Sequence, residues 1–238
     1  MATQNLLYAR DIPINKYISV RVPTIGEIID DEDRYYGMLS QFTASPIDYM
    51  VSLDDCGIDF TTIDDYTLFL GFFNSLKDED TSLILGDLDL SKFQYAVSEQ
   101  NGLPCLVDTE SDIKIDRAIH NMIATTLRKI NSLKKDTRTP GNEEAKKYMI
   151  ERARKKMQRS KNRKHESQLE SLIVAMVNTE QFKYDYAGTR ELTIYQFHES
   201  VHQIVKKVEY DSMMYGVYSG NVDTKSLGPD DLNWLIHK

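Results

Sequence analysis

The sequence has 238 residues, 41% hydrophobic and 28% charged, with 11 Gly, 6 Pro and a formal net charge of −8. Such a composition excludes collagen-like, mucin-like and wholly disordered chains, and the length predicts one or two domains with a core that stands without disulfide staples. Apolar runs such as Leu172–Val177 are far shorter than the roughly 18 to 20 residues of a spanning helix, and residues Met1 to Asp11 show no export signal, so the expected location is cytoplasmic.

In chain order, Tyr17–Val22 alternates apolar and polar residues up to Pro23 and predicts a strand, after which Thr24 caps a short helix. The acidic run Asp30–Asp33 precedes Tyr35, Met38, Leu39 and Phe42 at helical spacing, so its carboxylates sit at a helix start. Pro46 opens a helix through Tyr49, Met50 and Leu53 that closes at Gly57, and Thr62 with Asp65 opens another carrying Tyr66, Phe69, Leu70 and Phe73. Leu83–Leu85, Phe93–Val97, Leu103–Val107 and Ile113–Ile115 are short β-like pieces separated by turn residues, which predicts a small hairpin sheet. From Asp116 to Leu133 the period becomes helical, through Ile119, Ile123, Leu127 and Ile130.

The polar stretch Lys134–Asn142, with Thr139-Pro140-Gly141, is the best linker in the chain. Beyond it come a basic helix from Glu143 to about Ser160, a helix near Ser167–Val177, a short Phe182–Tyr186 segment and a long helix from about Glu191 to Tyr210 or further. Gly228-Pro229-Asp230 starts a last turn that carries Trp234. The expected fold is mostly α within an α+β class: an acidic α+β lobe over 1–133, a linker over 134–142 and a helical lobe over 143–238. Cys56 and Cys105, with no C-x-x-C pair, read as small buried hydrophobes in a reducing compartment.

Charge is uneven along the chain. Residues up to Asp116 hold 7 Lys/Arg against 22 Asp/Glu, net −15, whereas Arg128–Lys164 holds 15 basic residues against 4 acids, net +11. The basic helix 143–164 could neutralise phosphates, but its one narrow apolar stripe, Ala145, Met149, Ala153 and Met157, and its single aromatic, Tyr148, suit a packed helix better than a single-strand platform. The acidic lobe offers an internal counter-surface, so contacts between lobes or with protein are expected, and nucleic-acid binding ranks third among the functions.

The sharpest chemical motif is His198-Glu199-Ser200-Val201-His202, an H-E-x-x-H match. In zinc hydrolases that spacing puts two imidazoles on one helix face for the metal while the Glu activates water. Here Ile194, Phe197, Val201, Ile204 and Val208 already account for the helix as a core-facing stripe, and no downstream residue continues a known zinc pattern. The expectation is therefore no enzyme, no cofactor and no metal, with a zinc-dependent hydrolase through His198, His202 and Glu199 as the rival. Glycine-dependent phosphate loops and the G-x-S-x-G turn are absent, and Asp78-Glu79-Asp80 and Asp87-Leu88-Asp89 read as turn and capping acids.

In the last 60 residues, Asn178–Phe182, Leu192–Phe197, Tyr215–Asp223 and Asp231–Trp234 form a pattern that resembles tail assembly chaperones of tailed phages of Gram-positive bacteria. The likeness covers about a quarter of the chain. It implies a helical, non-enzymatic morphogenesis protein in the host cytoplasm that keeps the tape measure protein soluble while the tail tube polymerises, with contacts to other tail proteins or self-association as further options. The aromatic and Met-rich end is compatible: Met213, Met214, Tyr215 and Tyr218 are the candidate partner-binding residues, and Trp234 is expected in the core. Nucleic acid and membrane are not expected partners.

Overall fold

A computed structural model describes residues 5–98, 102–160, 167–223, 225, 227–228 and 231–235. Among them are ten α-helices, one 3₁₀ turn and two small antiparallel sheets, all strands lying in the N-terminal half. The mostly helical α+β expectation holds.

The first hairpin pairs β1 (Asp11–Pro13) with β2 (Ser19–Arg21), Ile12 opposite Val20. The predicted strand over Tyr17–Val22 is thus shorter, because Asn15 Oδ1 accepts the Tyr17 and Ile18 amides at 2.8 Å and turns the chain there. Thr24 and Glu27 form a capping box at the start of α1 (Ile25–Asp30). In α2 (Glu32–Phe42) the predicted stripe Tyr35, Met38, Leu39 and Phe42 is buried. Then come α3 (Met50–Asp55), after which Gly57 takes a φ of 71°, and α4 (Asp65–Leu76). The cap of α4 is Asp64, whose carboxylate accepts the Thr67 amide at 2.8 Å, not Thr62.

Leu83–Leu85 is a correction: it belongs to a helical turn, α5 (Ser82–Leu85), rather than a strand. All three side chains are buried, which an alternating strand beside a solvated face would not allow, and Thr81 C=O accepts the Ile84 and Leu85 amides at 2.9 and 2.8 Å. After a 3₁₀ turn at Leu90–Lys92, the predicted meander forms in the order β3 (Gln94–Val97), β4 (Pro104–Asp108), β5 (Ile113–Ile115). Asp116 caps α6 (Arg117–Ile130) through the Ala118 and Ile119 amides.

The basic helix is α7 (Glu143–Ser160), followed by α8 (Gln168–Val177). The segment predicted over Phe182–Tyr186 resolves into a buried Phe182 in a loop and a helix that starts at Tyr186, α9 (Tyr186–Glu191), capped by Asp185. The long helix α10 spans Ile194–Tyr218 and begins later than expected, because extended backbone at Leu192 and a Thr193–Gln196 capping box set its start.

Two apolar clusters form the core. The larger combines Ile18, Val20, Ile25, Phe42, Phe69, Phe73, Leu85 and Leu127 with Leu169, Met176, Phe182, Ile194 and Phe197, so it draws on residues before and after the 134–142 stretch. The smaller joins Ile47, Met50, Leu53, Phe60 and Leu68, with Met149, Ile150 and Ala153 of α7 packed on it. Cys105 is buried in β4, whereas Cys56, expected inside, is exposed where α3 ends before Gly57.

Main-chain bonds also tie the two ends of the chain together. Ile25 N–H donates to Leu192 C=O at 2.8 Å and Ile194 N–H to Pro23 C=O at 2.9 Å, around an isolated Thr24–Thr193 bridge. The capping boxes of α1 and α10 thereby stand side by side. Gly26 lets the two segments approach this closely, since a Cβ there would lie 3.1 Å from Arg190 C=O. Arg190 in turn clamps Asp30 with two 2.8 Å contacts. Among the described residues no helix is long and apolar enough to cross a membrane.

Candidate functional site

The candidate site is the part of α10 that leaves the core. Ile194, Tyr195 and Phe197 are its buried residues, and Val201 and Ile204 still pack half-buried on the larger cluster. Further along, the same face carries Val205 and Val208 and then, past the exposed Asp211 and Ser212, Tyr215 and Tyr218, all four exposed, the last two at 78% and 83%. From Val201 to Tyr218 this stripe runs about 26 Å at 1.5 Å per residue.

The other side of α10 carries the returning tail. At Gly220, with a φ of 76°, the chain reverses, and the Asn221 and Val222 amides both reach Gly216 C=O, at 2.9 and 3.1 Å. Val222 sits over Gly216 so closely that a Cβ there would meet its Cγ2 at 2.9 Å. Farther on, Gln203 Nε2 donates to Trp234 C=O at 2.8 Å, and the Lys207 ammonium lies 5.8 Å from the Trp234 ring centre. Trp234 is a second correction: it is 41% exposed rather than core, because it lies against the Gln203 and Lys207 face of α10, which is turned away from the Val201 and Ile204 stripe that packs on the core. Pro229 and Asp230 of the predicted turn lie outside the described residues.

The four candidate partner residues therefore fall on different sides of α10. Tyr215 and Tyr218 point outward on the stripe, half-buried Met214 borders Tyr218, and half-buried Met213 lies round the helix from Tyr215.

His198 and His202 occupy one face, one turn apart, their ring centres 6.5 Å from each other. Burial, and then the neighbouring His202, hold the His198 pKa below the ordinary imidazole value. Glu199 is half-buried one position on. Among the described residues no group of three or more His, Cys, Asp and Glu is arranged to hold a metal ion. We therefore expect protein purified without chelator to contain well under one zinc per chain by elemental analysis, and His198→Ala with His202→Ala to keep the wild-type melting temperature. Stoichiometric zinc that disappears in either variant would establish the hydrolase rival instead.

The basic helix divides its charge between two faces. On the packed side Lys146 donates to Asp59 at 2.8 Å and to Glu143 at 2.7 Å, while Arg154 forks onto Asp54 and Asp55 at 2.8 and 2.6 Å. The Lys146 hydrogen bond, followed by those from Thr61, holds the Asp59 pKa down at about 2. The pairs with Asp54, Asp55 and Asp59 join the basic helix to the acidic lobe, as its charge suggested. Ile150 joins the expected stripe, whereas Met157 is exposed. Lys161, Arg163 and Lys164 lie outside the described residues.

A site that the sequence reading did not single out surrounds His120. A cleft of about 540 Å³ has His120, Ala124, Tyr66 and Cys105 among its lining residues, with Lys114, Arg117 and Lys135 also bordering it. His120 is 1% exposed, its Nε2 is 3.2 Å from Phe42 C=O, and its ring stacks on Phe69 at 4.3 Å. Nearby, the buried Arg128 guanidinium donates to Thr43 C=O at 2.5 Å. Each bordering cation already faces a carboxylate: Arg117 pairs with Asp64, Lys135 lies 2.5 Å from Asp65, and Lys114 lies 3.8 Å from Asp116. The available sequence signal was the position of His120 on the same helical face as Ile123, Ala124 and Leu127, where a neutral imidazole is expected.

No curated protein and no solved structure matches the chain. Residues 160–237, which contain α8, α9, α10 and the tail, match the family model described as YomV second domain.

Proposed function

We propose that this is a phage tail morphogenesis protein of the tail assembly chaperone type, which keeps an apolar, helical tape measure protein in solution. The YomV second-domain match is consistent with a phage-related protein, and it spans the same residues that carry the chaperone-like pattern. The observation that carries the reading is the outward stripe of α10. Val205, Val208, Tyr215 and Tyr218 continue a core-facing register into solvent and offer a partner helix two pairs of apolar and aromatic anchors, one on each side of Asp211 and Ser212. Met214 borders the second pair, and Met213 supplies adaptable apolar surface on the tail side. In this reading the protein is not an enzyme, and His198 and His202 are helix-surface residues.

Co-expression with a tape-measure-type protein tests it. The wild type should hold the partner in the soluble fraction. Val205→Ser combined with Val208→Ser and Tyr215→Ser should lower the soluble partner at least tenfold, since exposed aromatic anchors carry much of such an interface, while the melting temperature stays unchanged. A triple variant that retains the partner as well as wild type would overturn the assignment. Met213→Ser with Met214→Ser reports separately on the tail side of the helix.

A further inference from the structure

We propose that the outward face of α7 binds the phosphate backbone of nucleic acid without reading its sequence. The sequence reading expected the acidic lobe to absorb the basic charge of this helix. The structure shows it absorbing Lys146 and Arg154, while Arg152, Lys155, Lys156 and Arg159 stay exposed on the opposite side with no ion pair to another described residue. Helical spacing places these four cations on the same side of α7 as the exposed Tyr148, turned away from the packed Ile150 and Ala153. Glu144 and Glu151 lie along one flank of the face and leave its centre cationic.

The linear charge density fits one strand of a duplex. From Arg152 to Arg159 the helix rises about 10.5 Å at 1.5 Å per residue, so its four cations average one per about 3.5 Å. A single strand of duplex DNA carries one phosphate per about 3.4 Å of axis. Tyr148 adds a planar donor beside the cations that suits a sugar or phosphate oxygen. The acidic lobe disfavours other approaches, because residues up to Asp116 carry net −15 and offer a polyanion little attraction.

The test is fluorescence anisotropy with the full chain, using a labelled 20-base-pair duplex of arbitrary sequence and a labelled poly-glutamate. Four released counterions predict a log–log salt slope of about −3.6, so affinity for the duplex should fall roughly a hundred-fold between 50 and 200 mM salt. Binding should be lost in the Arg152→Gln, Lys155→Gln, Lys156→Gln, Arg159→Gln variant. It should survive in an equal-charge control with Lys16, Lys92, Lys134 and Lys183 each changed to Gln. Should the fourfold variant fold poorly, Lys155→Gln with Lys156→Gln should halve the salt slope. Absence of duplex binding at 50 mM salt, equal loss in the control, or poly-glutamate held as tightly as duplex would each overturn the proposal, the last in favour of an acidic protein partner.

Discussion

Phe197→Ala should destabilise the whole chain by about 3 to 5 kcal/mol, the usual cost of removing a fully buried aromatic side chain together with the cavity left behind. Phe197 is 0% exposed, meets Phe182 edge-on with ring centres 6.1 Å apart, and shares one cluster with Ile18, Ile25 and Phe42. At about 2 to 4 °C per kcal/mol for a chain of this size, the melting temperature should drop by roughly 6 to 20 °C. Because the cluster takes residues from both halves of the sequence, the loss should shift a single cooperative transition seen by calorimetry. A split trace, with one component still melting at the wild-type temperature, would show that the segment after residue 143 melts independently. Phe197→Leu should retain most of the stability and exclude a general sensitivity of α10 to substitution.

Acid should weaken the fold through His120. Burial pushes its pKa from the ordinary 6.5 down to about 4, with the Phe42 carbonyl contact acting in the opposite direction. Between those two values the unfolded chain binds a proton that the folded chain refuses, so stability rises with pH across that window. The contribution is complete above about pH 6.5 and is lost as pH falls towards 4. At 1.36 kcal/mol per pKa unit, the loss amounts to about 3 kcal/mol. Urea midpoints measured from pH 7.5 to 4 should show it as a difference between wild type and His120→Gln, which keeps a donor for Phe42 C=O but does not titrate. Parallel pH profiles for the two proteins would mean that His120 is already charged or already solvated in the folded state.

Much of the fold was legible wherever apolar residues repeat over three turns. Tyr35, Met38, Leu39 and Phe42, or Ile123, Leu127 and Ile130, can be buried together only on a helix, and they are. Leu83–Leu85 was not legible, because three consecutive apolar residues have no period and the choice between strand and helical turn rests on Thr81 C=O and on packing from distant segments. The start of α10 was readable in principle from Thr193 and Gln196, yet the helical run of side chains suggested extending it back to Glu191. At the candidate site, the sequence carried the helix to about Tyr210 and left Tyr215 and Tyr218 with the tail, whereas α10 runs on through both, and no local pattern could say that the chain after them folds back along the other side. For the same reason the exposure of Trp234 was hidden: whether a ring is covered depends on which face of α10 the tail lies against, and no local pattern encodes that.

The bridge between Thr24 and Thr193 has a consequence for how the chain is made. Ribosomes deliver the β1–β2 hairpin and α1 first, but the Ile25 amide and the Pro23 carbonyl find their partners only at Leu192 and Ile194. Closing so long a loop is slow and entropically costly, and it comes after most of the polypeptide has been synthesised. The nascent N-terminal segment therefore waits, with part of its apolar surface open, for the arrival of Leu192 and Ile194. A truncation that ends before Leu192 should leave that early segment sticky rather than simply shorter.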